Sequence, residues 1–280
     1  MSDTQSPEAG AGTVPASTFP KTANANFRLR VFAVWASLLA LFIFFFLSFD
    51  LKFGFIVEKL PFLTGLTLTR DGFIQGAALT LFVCFFAIIA SIILGFVSAL
   101  GRLSKSAVFY GISTFYTSFF RGTPLLVQIF LIYLGLPQLG PVPAAVPSGI
   151  IALSLNYGAY LSEIFRSGIM SVPKGQREAG ASLGLHQWVV MWRIVLPQAM
   201  RVVIPPTGSQ FISMLKDSSL ISVMGVWEIM FLAQSFGRTA YRYVEMLVTA
   251  AVIYWILSIC FEIIQARLEA HYGKGFKERH

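Results

Sequence analysis

Residues 77–100 run for twenty-four positions without one charged side chain. As a helix rising 1.5 Å per residue, such a run is about 36 Å long, enough to cross the ~30 Å hydrocarbon core of a bilayer. Inside lipid every backbone N–H and C=O must be bonded within the protein, so a span of this kind is a helix and not an open strand. The run is not alone. Residues 31–49, 107–135, 148–169, 198–223 and 243–266 are also long and largely apolar, and together they predict six spans. The fold class expected is an all-α polytopic membrane protein.

Charge supports this and adds a direction. Only 12% of the residues are charged, about half the share usual in a soluble domain. The net charge of +8 sits in loops rather than on a nucleic-acid-binding face. One alternate set of loops holds Lys21, Arg28, Arg30, Arg102, Lys105, Lys174, Arg177, Arg193, Arg267, Lys274, Lys277 and Arg279, twelve in all. The other set holds five: Lys52, Lys59, Arg70, Arg238 and Arg242. Cytoplasmic loops carry the excess of Lys and Arg. Twelve against five therefore predicts that both termini and the polar 170–187 loop are cytoplasmic, and that the uncharged, proline-rich loop 136–147 is external.

Residues 1–27, rich in Ala, Thr, Ser, Pro and Gly without periodicity, read as a disordered cytoplasmic N-terminus. The run 31–49 exceeds a signal-peptide core in length and ends on a poor cleavage site, so it reads as an uncleaved transmembrane helix. Residues 50–71, with Lys52, Glu58, Lys59 and Asp71, read as an exposed connection. Residues 107–135 would make a helix of about 40 Å, too long for one straight span. They are broken at Arg121-Gly122-Thr123-Pro124, which predicts a bent element with Thr123 as cap and Pro124 in the first turn of the restarted helix. A short amphipathic stretch, 224–241, precedes the last span.

Enzymatic readings find little support. Gly101-Arg-Leu-Ser-Lys-Ser and Gly273-Lys-Gly lack the spacing of a phosphate-wrapping loop. Cys84 and Cys260 lie in apolar runs, the three His have no metal spacing, and no nucleophile–base pair stands out. No catalytic residue, metal, cofactor or nucleic acid is expected.

The motifs point elsewhere. Glu178-Ala179-Gly180, then Gly184, then Ile194-Val-Leu196-Pro197 stand in a polar loop between spans. Three more blocks accompany it: Phe120-Arg-Gly-Thr-Pro-Leu-Leu-Val-Gln128, Ala159-Tyr160-Leu-Ser-Glu163-Ile-Phe-Arg166-Ser-Gly168, and Phe211-Ile-Ser-Met-Leu-Lys216-Asp217-Ser-Ser-Leu220. Taken together they resemble the permease of the polar amino-acid uptake family of bacterial ABC importers, the group for histidine, glutamine, glutamate or cystine. Gly180 stands where that family usually has Ala, Ser209 where many relatives have Asn, and Ser218 where Thr is common. The resemblance covers about 72–268 and implies a five-span permease core there. Residues 28–71 then form an extra transmembrane helix with its external connection, and 269–280 a cytoplasmic tail.

Several consequences follow from the resemblance alone. Two permease chains, identical or homologous, form the path in the inner membrane; a dimer of separate ATPase subunits drives it; an extracytoplasmic amino-acid-binding protein delivers the solute. Lys174, Gly175, Gln176, Glu178, Ala179, Gly184, Leu196 and Pro197 match the loop that couples to the ATPase. An importer for an opine or another amino-acid-like solute, and a stand-alone secondary transporter, are the competing readings.

The residues also speak physically. Ser171 and Pro173 suggest a helix start, with Ser as cap and Pro in the first turn, and Gly184 suggests its end. Glu163 and Arg166, three apart, share a helix face. Ionisable groups inside a membrane mark a path or a structural pair. Gln210, Ser213 and Asp217, at spacings of three and four, make a polar stripe on one face. Thr123, Tyr160, Glu163, Gln210, Ser213 and Asp217 are the candidate lining of a substrate path. Asp217 and Glu163 read as the acidic residues placed deepest in apolar segments.

Overall fold

The structure, a computed structural model, describes residues 25–47, 51–69 and 71–272. Residues 1–24 of the expected disordered segment and 273–280 of the expected tail lie outside them. The chain divides into two compact units, 1–50 and 51–280. In the first, α1 (Ala25–Leu47) carries bulky apolar side chains outward along its length, Phe32, Trp35, Phe42 and Phe44 among them. Such a surface suits lipid and not water.

The second unit holds ten α-helices among its described residues. The first is α2 (Phe53–Thr64), where the sequence suggested an exposed connection. Leu63 is fully buried among Ile229, Leu232 and Met246. Its charges conceal a helix: Lys59 pairs with Glu58 and lies over the rings of Phe55, Phe62 and Phe236, so that its stem covers apolar surface.

Then follow α3 (Gly76–Leu103), α4 (Ala107–Gly122), the short α5 (Leu125–Phe130) and α6 (Ala145–Ser171). Next come α7 (Lys174–Ser182), α8 (Gln187–Val190), α9 (Leu196–Asp217), α10 (Ile229–Ala240) and α11 (Tyr243–Tyr272). Among the described residues four stretches are long and apolar enough to cross a membrane: 26–44, 76–103, 187–224 and 243–270. The bent pair α4–α5 makes a fifth. The remaining expected span is α6, 27 residues long, whose apolar character is diluted by the buried Ser148, Ser154, Asn156 and Ser162.

Those polar residues have a packing role. Gly95 of α3 lies so close to α6 that a Cβ there would stand 2.8 Å from Leu161 Cβ. Ser162 Oγ donates to Ser98 Oγ at 3.0 Å, and Ser91 Oγ to the Ser154 carbonyl at 3.3 Å. Between membrane helices no water is squeezed out, so close backbone approach over small residues and interhelical hydroxyl bonds carry the association. The α3–α6 pair is the spine of the unit. At one end of it, Leu100 and Leu103 pack with Ile169, Val172, Val190 and Val195. At the other, Ala77 packs with α2, α10 and the start of α11.

Candidate functional site

The elbow between α4 and α5 is where sequence most directly becomes site geometry. The chain bends by 109° between Ala107–Gly122 and Leu125–Leu139. Thr123 precedes a proline and is extended, φ −115° and ψ 146°, as the proline ring requires of its neighbour. The restart falls one residue later than expected: Pro124 holds the cap position and Leu125 begins α5. Thr123 does not cap it. Its hydroxyl donates back to the Phe119 carbonyl at 2.9 Å, because α4 leaves its last carbonyls without helical partners. The elbow is fixed by two buried amides. Gln128 Nε2 donates to the Phe120 carbonyl at 2.9 Å and to the Thr123 hydroxyl at 2.9 Å. Asn156 Nδ2, from α6, donates to the same Phe120 carbonyl at 3.0 Å and to Gln128 Oε1 at 3.1 Å.

Behind this elbow lies a polar cavity of about 320 Å³. Thr123, Pro124 and Leu125 form one wall, Asn156, Tyr157 and Tyr160 of α6 a second, and Gln210, Ser213 and Asp217 of α9 the third. The stripe read from sequence therefore faces one space, and five of the six candidate path residues line it. The sixth, Glu163, does not. Asp217 is held by Tyr157, whose hydroxyl donates to Oδ2 at 2.7 Å. Lys216 lines a different recess, with Glu262, Gln265 and Glu269, on the α11 side of α9. A larger cleft of about 430 Å³ between α3, α6, α9 and α11 is walled by Ile, Val, Leu and Phe. It has few groups to bind a polar solute, so the smaller cavity is the better candidate.

Glu163 sits one helical turn below Tyr160 in sequence and answers to arginines. Its carboxylate pairs with Arg166 of its own helix and with Arg102 of α3, and Arg121 Nη1 of α4 stands 3.8 Å from Oε2. The Arg166 pair is the one the three-residue spacing indicated. Arg121 also lies over the Tyr160 ring, 5.4 Å from its centroid.

The polar loop forms a helical knob. Helix α7 begins at Lys174 with Pro173 at the cap position. Ser171 does not cap it: α6 runs on through Ser171, whose hydroxyl donates to the Gly168 carbonyl at 2.7 Å. Arg177 ties the knob to the end of α6 by donating to the Ile169 carbonyl at 2.6 Å. The helix stops as the sequence suggests. Gly184 has φ +72°, a left-handed conformation that glycine adopts without strain. Gly180, where an Ala would be usual, is buried against α8. A Cβ there would lie 2.8 Å from Val190 Cγ2. Lys174, Gly175, Gln176, Glu178 and Ala179 are exposed on the knob. Leu196 and Pro197 are elsewhere, in the first turn of α9, where Leu196 packs against the core beside Ala199.

Three groups escaped the sequence reading. Tyr157 and Asn156 face the cavity from an apolar-looking helix. Glu228 is fully buried, caps α10 by accepting from Phe231 N–H at 2.7 Å, and accepts from the Tyr254 hydroxyl at 2.6 Å. Glu228 and Glu245 are more buried than Asp217 and Glu163, the acids that the sequence places deepest in apolar segments. A signal for Glu228 was present, an acid just before the apolar run 229–233 at a helix start.

Known proteins resemble this chain in fold and sequence. A crystal structure of an amino acid ABC transporter with histidines superposes with a TM-score of 0.70 at 34% identity, covering 79% of this chain and 99% of that one. The inward-facing MetNI methionine ABC transporter, 16% identical, shares the fold with a TM-score of 0.58. The probable amino-acid permease protein YxeN of Bacillus subtilis (strain 168) is 42% identical over 73% of this chain and 92% of its own length. The L-cystine transport system permease protein TcyB of the same organism is 43% identical over 66% of this chain and 82% of its own. Residues 91–274 match the model of the binding-protein-dependent transport system inner membrane component, and the chain belongs to that family.

Proposed function

We propose that this chain is the non-catalytic permease subunit of an ATP-driven importer that carries polar amino acids across the inner membrane into the cytoplasm. The observation that carries the reading is the cavity beneath the elbow. It places one carboxylate, Asp217, and several neutral polar groups among spanning helices, where an ionisable group is costly unless it serves a pair or a path. A solute with an ammonium group is the natural partner for that carboxylate. Relatives named for amino acids, cystine among them, support the same class.

The α7 knob is the seat for a separate ATPase dimer. Its exposed face and its tether through Arg177 to α6 let a push on the knob reach the helix that carries Tyr157 and Tyr160. A second permease chain completes the path, and an extracytoplasmic binding protein delivers the solute. The loop charges support a cytoplasmic position for α7 and both termini. The packing of the α3 end, Leu100 and Leu103, with Val172 and Val190, which stand on either side of α7, supports this, since Arg102 and Lys105 lie at that end. Labelling by an impermeant thiol reagent in intact cells tests the orientation: Gly140→Cys is expected to react and Glu178→Cys to stay protected, and the reverse pattern would invert the topology. Function is tested by reconstituting the chain with its ATPase and binding protein in proteoliposomes. Uptake of a labelled amino acid that requires ATP on the knob side is expected. Uptake by the chain alone, driven by an ion gradient, would overturn the assignment.

A further inference from the structure

The cavity offers an anion for an ammonium group but lacks, within its walls, any cation for the carboxylate that every amino acid also carries: Thr123, Pro124, Leu125, Asn156, Tyr157, Tyr160, Gln210, Ser213 and Asp217 include no Lys, Arg or His. Positive charge adjoins the cavity at Tyr160, through the arginine cluster on Glu163. Three guanidiniums there share one carboxylate, which leaves a formal surplus of positive charge beside the cavity.

The three are not equivalent. Arg102 and Arg166 make direct bonds to Glu163, and their side chains are 18% and 27% exposed. Arg121 is held only at 3.8 Å, beyond a direct hydrogen bond, and at 41% its side chain is the most open of the three. It is also the one that reaches toward the cavity. Its guanidinium rests over the face of Tyr160, which lines that cavity, and Thr123 two residues on is part of the cavity wall. Tyr160 and Tyr157 stand ring to ring at 6.3 Å, and Tyr157 bonds Asp217. A continuous line, Arg121, Tyr160, Tyr157, Asp217, thus runs from a loosely engaged cation to an anion along one side of the space.

We propose that Arg121 is the receptor for the solute's carboxylate. A guanidinium presents paired donors that fit a carboxylate in a bidentate way. One resting on an aromatic face keeps its planar edge available for that. Glu163 is then its competitor: while the cavity is empty the carboxylate of Glu163 restrains Arg121, and a solute carboxylate draws the guanidinium toward the cavity. This rests on the cavity being the solute site, and it narrows the solute to α-amino acids with a free carboxylate and a neutral or cationic side chain. A second carboxylate on the solute would face Asp217.

The test is equilibrium binding to the permease–ATPase complex in nanodiscs without the binding protein, so that only the membrane site selects. The probes are radiolabelled L-arginine, L-histidine and L-glutamine, each competed by the matching α-carboxamide, which keeps the ammonium and side chain and loses the carboxylate's charge. In the wild type the free acid is expected to bind more tightly than its amide by about thirtyfold or more, the range of a desolvated charge pair losing one partner. Arg121→Gln should weaken the acid by a similar factor, leave the amide nearly unchanged, and so erase the difference. Arg121→Lys should restore part of it. If Arg121→Gln still prefers acid over amide as the wild type does, Arg121 is not the carboxylate receptor. Asp217→Asn separates that failure from a failure of the site itself: when it too leaves all binding unchanged, the cavity is not the solute site.

Discussion

Two carboxylates lie in the spanning helices around one bend of the chain, and their surroundings differ in kind. Glu163 is enclosed by guanidiniums from three helices, α3, α4 and α6. Asp217 faces a cavity and has a neutral phenol for its partner. A carboxylate among cations is neutralised within the protein and holds helices together. One bonded to a neutral phenol has no cation of its own among the described residues, and a visitor can supply it. The difference separates a structural charge from a functional one without reference to any relative.

The largest effect is expected where the charge is for the visitor. Asp217→Asn keeps an oxygen for the Tyr157 hydroxyl and removes only the charge. ATP-dependent uptake should fall by about a hundredfold, a loss of about 2.7 kcal/mol in solute recognition, while membrane abundance stays normal. Wild-type uptake by this variant would erase the contrast with Glu163. A control on coupling comes next. Glu178 is exposed on α7 and among the described residues makes no ion pair of its own, so Glu178→Lys touches no span. Uptake should fall by about tenfold or more with solute binding intact, one decade corresponding to about 1.4 kcal/mol. If uptake and stimulated ATP hydrolysis both persist, the knob is not the seat of the ATPase.

Glu163→Gln should show the opposite pattern to Asp217→Asn. It leaves three guanidiniums crowding a neutral amide, and leaving partly buried charged donors without an acceptor costs about 1–3 kcal/mol or more. Abundance and melting temperature are expected to drop, and the uptake that remains per molecule should show a KM no higher than the wild type's, since Arg121 loses the carboxylate that restrains it. If instead KM rises with abundance unchanged, Glu163 belongs to the path and the two carboxylates are of one kind.

Much of this was legible in the sequence, and the limit is a physical one. The elbow at 122–124, the knob between Pro173 and Gly184, and the stripe of Gln210, Ser213 and Asp217 all follow from local chemistry: a proline, a left-handed glycine, a periodicity of three and four. What the sequence concealed depends on distant contact. Arg102 reaches Glu163 across 61 residues and Tyr157 reaches Asp217 across 60, and no local pattern announces either. The misplaced caps at Thr123 and Ser171 share one cause. Both hydroxyls bond backward into the helix that is ending, a use open to Ser and Thr that competes with capping forward.

Glu228 gives the comparison a third member and the smallest of the expected effects. It is an acid outside the spanning stretches, and among the described residues it pairs with no cation and lines none of the cavities above. Burial pushes its pKa up to about 7, against the opposing pull of the Tyr254 hydroxyl and the backbone N–H groups of Met230 and Phe231. The sign follows from proton counting. Between the ordinary glutamate value near 4.3 and about 7, the folded state holds a proton that the unfolded chain has released, so stability falls as pH rises through that window. The melting temperature of the purified transporter should therefore decline by a few degrees over this range, a modest shift for a protein of this size. Glu228→Gln keeps one carbonyl oxygen to accept from the Phe231 N–H, turns an NH2 donor toward the Tyr254 oxygen and carries no charge at any pH, so it should flatten that slope while uptake stays within about twofold of wild type. A wild-type slope that Glu228→Gln leaves unchanged would assign the titration elsewhere and return Glu228 to the role of a helix cap alone. A loss of uptake in the variant would place its charge beside that of Asp217.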